Sequence, residues 1–492
     1  MGRSAHHEIL GIAVVALVLA GCGGGGGGGG GGGSSSDDNG GSNGGSNGGD
    51  DTSGGDGGGS ADTDDGGPLT AFDTPFFFVA NDGASGVTGA AQLWRTNGLD
   101  EGTYKLADPA SGGADPEIQE LTPFEDGLYF IADDGAGAQL WFSDGTEGGA
   151  EKVTSLDEEL GTAYLTVMGD YLYFSATHDG STQALWRTDG ADVELVKDIN
   201  PGSAGGTALL TVMNDTLYFI ANDGAGHELW QSDGTEAGTA RVAEINPGGA
   251  AFSATWARRL EVVGDHLYFN ADDGDELGLW RSDGTEAGTE RVTDIAFGAF
   301  GARAITAVGD TLMFKHNPGT GVGIYKTDGT EGGTTFGLAD GTQVFGDDVA
   351  PMAHLNGSVF FQARDANDAD DAFGNEPWIS DGTEAGSMIL KDINPGSSHS
   401  NPSDFLRIGD HVYFAISRVS PQIWRTDGTT DGTVVVDQTG IGTAGTLIAA
   451  DGGNVLLIFD GLRLYRLHNG ERERIKEICT VFGGGCIEYL DH

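Results

Sequence analysis

The chain has 492 residues, with 75 acidic side chains against 24 basic ones, a formal net charge of -51, and 88 glycines. Such a charge repels polyphosphate and anionic headgroups, which excludes nucleic acid as a partner and requires any membrane attachment to come from something other than basic side chains. The acid excess marks a solvated surface suited to a saline or extracellular setting, with calcium as the cofactor it could recruit.

At the N-terminus, residues 1–22 combine a short polar stretch holding Arg3, an apolar run from Ile9 to Ala20, and then Gly21-Cys22. The run is too short to cross a bilayer comfortably and reads as an export signal. Small residues ahead of a single cysteine resemble the lipobox of bacterial lipoproteins, and the resemblance implies that Cys22 is lipidated and becomes the first residue after cleavage. The other reading is a secretory signal with an incidental cysteine. Residues 23–67 are almost only Gly, Ser, Asp and Asn, with unbroken glycine from Gly23 to Gly33. Without apolar side chains the segment cannot offset its ordering entropy, so it is expected to be a disordered tether with a reach of about 35–40 Å.

Residues 68–478 are one uninterrupted array of repeats. Aromatic anchors at Trp94, Trp141, Trp186, Trp230, Trp280, Tyr325, Trp378, Trp424 and Tyr465 recur every 41 to 53 residues, a period that belongs to repeat architectures. The fourth unit, Gly206 to Gly248, divides at its turn signals into segments Ala208 to Met213, Thr216 to Ala221, Glu228 to Ser232 and Thr239 to Ile245. Each has strand length, and none has helical spacing. The second is apolar on both faces, so both faces must be covered. A ring of four-stranded blades covers every blade at once, and the predicted fold is all-β, a single β-propeller of eight or nine four-stranded blades. A β-solenoid is the alternative.

Within each unit the Asp-Gly-Thr-Glu-x-Gly phrase reads as a hairpin loop: Asp bonds its own following backbone, and each glycine supplies positive φ. The tryptophan reads as a packing anchor between blades. If the blades are antiparallel meanders, Asp170, Asp215, Asp265, Asp310 and Asp410 share a rim with the loops of Asp144, Asp233, Asp283, Asp328, Asp381 and Asp427. Both rims are then acidic, which suits weak calcium binding at several places.

The run from Glu228 to Thr235, ELWQSDGT, with the KDINPG phrase at Lys197 to Gly202 and Lys391 to Gly396, is similar to the ELWxxDGT repeat of bacterial surface and secreted proteins. The similarity covers about residues 69–478 and implies a propeller-like fold. It implies no defined catalytic residues.

A search for chemistry returns no nucleophile elbow, HExxH, phosphate loop or CxxC pair. His266 and His411 occupy one turn position in two repeats. The expanded loop bearing Asp365, Asn367, Asp368, Asp370 and Asp371 imitates a calcium loop imperfectly, with Ala369 where an oxygen is wanted. In the C-terminal tail, 479–492, Cys479 and Cys486 flank a triple glycine; a disulfide is preferred over free thiols or a metal pair in an oxidising compartment.

Two functions from different classes fit these residues. The first is a monomeric, lipid-anchored binding or adhesion scaffold of the bacterial cell envelope, at the outer membrane or cell surface, with an extracellular glycan or protein as ligand. The alternative is a propeller enzyme, a hydrolase or lyase acting on extracellular glycans, which would break the repeat symmetry at the channel.

Overall fold

The computed structural model describes residues 71–478 apart from short internal stretches, among them 81–90, 253–258, 293–300, 366–373 and 438–445. Every described regular element is a β-strand, and the strands form nine sheets, each an antiparallel meander in chain order. The fourth blade shows why. Asn214-Asp215 adopt positive φ and turn the strand Thr207–Met213 into Thr216–Asn222; Asn222 and Asp223 then cap their own turn before His227–Ser232. Asx residues favour both turns because their short side chains bond the backbone two residues on.

Nine apolar clusters separate the nine blades, and each draws on two consecutive ones. The fourth and fifth blades share Tyr218, Ile220, Leu229, Leu267 and Phe269; the eighth and ninth share Tyr413, Ile423, Leu447 and Leu456. One cluster joins Phe76, Phe78 and Trp94 of the first blade to Leu457, Leu464 and Ile475 of the last, so the ring is closed. The fold is a nine-bladed β-propeller. The solenoid alternative is overturned by that final contact, because an open array has no cluster joining its ends.

Across the ladder, each anchor sits opposite a buried second-strand residue: Phe78 with Trp94, Phe130 with Trp141, Phe219 with Trp230, Phe269 with Trp280, Phe414 with Trp424. The paired side chains lie on one face of the sheet and pack against the preceding blade, while the neighbouring Leu93, Leu140, Leu229 and Leu279 face the next. Alternation along a strand therefore serves two interfaces. This is why the second strand is apolar on both sides.

Three features depart from the sequence reading. Fourth strands are short in the fourth to seventh blades: the segment Thr239 to Ile245 contributes only Ala240–Arg241 to the ladder, because Val242 makes a last bond to Leu229 O and the chain then leaves the sheet. In the seventh blade the first strand is split, Thr342–Phe345 pairing with one end of Ser358–Asp365 and His354–Leu355 with the other. The first blade shows three strands among the described residues rather than four, since Phe72 runs instead to the loop at Asn97.

First strands lie nearest the axis, as shown by their contacts from blade to blade. Many carry a bulge with a non-glycine residue at positive φ, Glu120, Leu209, Ala304 or Asp404, and Tyr164 takes the same angle just ahead of the strand Thr166–Met168. Bulges increase local twist, which lets straight strands converge on an axis. At four of these positive-φ positions a threonine two residues on, Thr122, Thr166, Thr211 or Thr306, donates back to the carbonyl of that residue.

Candidate functional site

The repeat signature assembles at the blade junctions. Asp233 Oδ1 accepts hydrogen bonds from the amide and hydroxyl of Thr235, at 2.9 and 2.7 Å, and the Thr235 hydroxyl accepts from Gly238 N. Ser232 Oγ receives Gly234 N and pairs with the Thr239 hydroxyl. The same network recurs around Asp283, Asp328, Asp381 and Asp427. Each loop is thus a closed hydrogen-bonded unit.

The two glycines of the phrase turn out to have different reasons. Gly234 has φ of +90°, and a Cβ there would stand 2.2 Å from the Tyr173 hydroxyl of the preceding blade. Gly284 meets Tyr218 and Gly329 meets Tyr268 in the same way. The second glycine does not take positive φ as expected. A Cβ on Gly238 would instead lie 2.1 Å from Asp233 Oδ1, so the residue is excluded by the loop's own carboxylate.

Cross-blade donors complete the junction. Arg187 donates to Gly234 O at 3.0 Å, Arg95 to Gly145 O at 2.8 Å and Lys326 to Asp381 O at 3.2 Å, each on the next blade. The lysine of the KDINPG phrase reaches farther into the same loop: Lys197 donates to Thr239 O at 2.7 Å, and Lys391 to Thr433 O at 2.6 Å. On the opposite rim, the glutamate of ELW clamps its own blade's exit. Glu228 accepts from Ile245 N and Asn246 N; Glu376, fully buried, accepts from Ile393 N, Ser400 N and Ser400 Oγ. Sequence reasoning missed these roles, although the repeated Glu-Leu-Trp and Lys-Asp phrases were the signal for them.

Near the axis stand three further carboxyls. Glu120 accepts from Ala163 N and Leu165 N of the next blade, and Glu261 pairs with Arg259 at 2.6 Å and accepts from Ala307 N of the next blade. Asp404 accepts from Ser403 Oγ and keeps solvent contact within the ring. In all three, removal from bulk water raises the carboxyl above its ordinary range.

The rim assignment holds: in an antiparallel meander the turn at Asp265 and the loop of Asp283 leave the blade at the same end, as do those of Asp215 and Asp233 and of Asp410 and Asp427. The calcium-loop candidates Asn367, Asp368, Asp370 and Asp371 lie outside the described residues, as do Cys22, Cys479 and Cys486; Asp365 ends a strand, and its side chain lies outside them too. Among the described residues, no group of three or more His, Cys, Asp or Glu side chains stands together to hold a metal.

Opposing titrations set the pH response. The carboxyls of Asp144, Asp233, Asp283, Asp328 and Asp427 are lowered chiefly by the threonine hydroxyl each receives. A lowered folded value supplies stability that is present above the unfolded value of about 3.9 and lost as pH falls through the folded one. Desolvation raises Glu120, Glu228, Glu261 and Glu376, whose contribution is complete below about pH 4.3 and lost as pH rises through their folded values. Thermal midpoints should therefore peak on the mildly acidic side of neutrality and drop steeply below about pH 4. A midpoint that keeps rising from pH 5 to pH 3 would show that the loop aspartates do not support the fold.

No protein-family model and no curated protein sequence matches the chain. Among solved structures it is similar to a prolyl endopeptidase at 12% identity and a TM-score of 0.39, over 71% of this chain and 54% of that one. It is similar to TolB from Acinetobacter baumannii at 13% identity and a TM-score of 0.31, over 53% of this chain and 63% of the other. A puromycin-hydrolyzing peptidase from Mycobacterium tuberculosis aligns at 13% identity and a TM-score of 0.37, over 70% and 57% respectively. The chain thus matches between 54% and 63% of the length of these proteins.

Proposed function

We propose that the chain is a lipid-anchored binding scaffold of the bacterial cell envelope, one of the ELWxxDGT-repeat surface proteins, held by acylated Cys22 on a Gly-rich tether. The observation that supports this reading is the use made of the signature. Its Asp, Thr and Glu side chains close each blade's own loop and exit link while its Arg and Lys side chains stitch one blade to the next, so the repeat builds a rigid ring with near-equivalent loops on both rims. A glycan or protein ligand would meet those loops many times over, and multivalent contact raises avidity without any single strong site.

A glycan-cleaving propeller needs a pair of carboxyls with free oxygens. Among the described residues, Glu120 and Glu261 are engaged with backbone N–H groups of the next blade, while Asp404 keeps an oxygen open. The scaffold is the better fit.

Cys22→Ser should move the protein from the membrane fraction to the soluble fraction, because acyl chains anchor by about 0.8 kcal/mol per buried CH₂ and nothing basic replaces them. Retention after high-salt and carbonate washes would end the lipid-anchor reading. The soluble variant should then bind envelope polysaccharide or surface protein without altering it. Release of reducing ends or of unsaturated sugars would instead establish the enzyme.

A further inference from the structure

Eight junctions in the ring join blades that are consecutive in the chain. The ninth joins the last blade to the first, and its parts differ. At four of the regular junctions a tyrosine from the second strand of one blade seats on the loop glycine of the next, Tyr129 toward Gly190, Tyr173 toward Gly234, Tyr218 toward Gly284 and Tyr268 toward Gly329, whereas in the sixth blade Met313 holds that register position and Lys326 covers Gly382. Register identifies the equivalent residue in the last blade. Tyr268 lies opposite Arg281, Tyr173 opposite Arg187, and Leu457 opposite Arg466. The last blade therefore has leucine at the position where the second to fifth blades carry a tyrosine.

The missing ring comes from elsewhere. A Cβ on Gly98, the loop glycine of the first blade, would stand 2.4 Å from Phe72 Cε1. Phe72 is 7% exposed, its amide donates to Asn97 O at 2.7 Å, and the Arg466 guanidinium lies 5.1 Å from its ring centroid. At Gly234 and Gly329 the tyrosine shares the glycine with Arg187 or Arg281 of its own blade, and Arg466, at the equivalent register position of the last blade, lies over the ring of Phe72. Phe72 also belongs to the cluster that unites Ile448, Leu457 and Leu464 with Phe76 and Trp94.

We propose that Phe72, ahead of the first strand, acts as a strap across the seam of the propeller, supplying the aromatic that the last blade lacks. The closing junction then draws on a residue outside any blade as well as on the direct contacts between the two blades. Lifting the strap exposes Gly98 and the edge of the last blade while leaving the other eight junctions intact. Lys476, which meets the Asp100 carboxylate at 2.7 Å and donates to its carbonyl, holds the seam at its outer edge.

The test is hydrogen exchange on the full chain carrying Phe72→Ala. Protection should fall by at least about tenfold in Phe76–Ala107 and in 446–478, and stay unchanged in the fourth and fifth blades. Adding Leu457→Tyr to that variant should restore seam protection, since a tyrosine at this register position seats on the loop glycine elsewhere. Unchanged protection at the seam would overturn the proposal. So would a loss spread evenly around the ring, or a double variant that recovers nothing.

Discussion

Replacing Trp230 by alanine should cost about 3 to 5 kcal/mol of stability, the range for truncating a buried aromatic. The indole is 7% exposed and packs with Tyr173, Leu185 and Val196 of the third blade and with Leu217 and Phe219 of its own. Its removal therefore empties a junction rather than a single blade. In a closed ring each blade has two neighbours, and losing one junction loosens both. Chemical denaturation measures the effect. A loss under about 1 kcal/mol would place the tryptophan outside the packed junction and revive a ligand-stacking role for it.

Glu376→Gln should cost about 2 to 3 kcal/mol, despite preserving side-chain volume. The carboxylate is fully buried and accepts three bonds, from Ile393 N at 3.0 Å, Ser400 N at 3.0 Å and Ser400 Oγ at 2.6 Å. Glutamine turns one accepting oxygen into a donating NH₂, so a buried donor faces a backbone donor and neither can be satisfied. Of those donors, only the serine hydroxyl can rotate to adapt. Exchange of the Ile393 and Ser400 amides should speed up before any global change in stability is seen. If both amides stay protected and the denaturation midpoint is unmoved, the clamp does not hold the blade's exit link.

Much of the fold is legible along the chain because the information is local. Apolar runs such as Phe76–Ala80 and Val455–Phe459 are strands at the expected residues, and Asn-Asp and Gly-Asp dipeptides mark turns whose chemistry lies within four residues. The period of the anchors set the blade count at eight or nine. Choosing nine required the contact between Trp94 and Leu464, residues that are sequence-remote and meet only when the ring closes.

The signature residues were harder to read for the same reason. Asp233 bonds Thr235, two positions away, and its loop role can be inferred from the phrase alone. Arg187 and Lys197 act on Gly234 and Thr239 of the next blade, more than forty positions on, where no local pattern records a partner. Gly238 shows the limit even at short range: its need for hydrogen in place of a side chain comes from the oxygen of Asp233 folding over it, and not from its own backbone angles. Period, turn chemistry and apolar patterning are properties of a few neighbouring residues, so the sequence by itself determined the strands, their order and the repeat. Which blades touch, what each signature side chain holds, and how Phe72 fills the place of an absent tyrosine were decided by tertiary structure, because these depend on curvature accumulated over the whole ring.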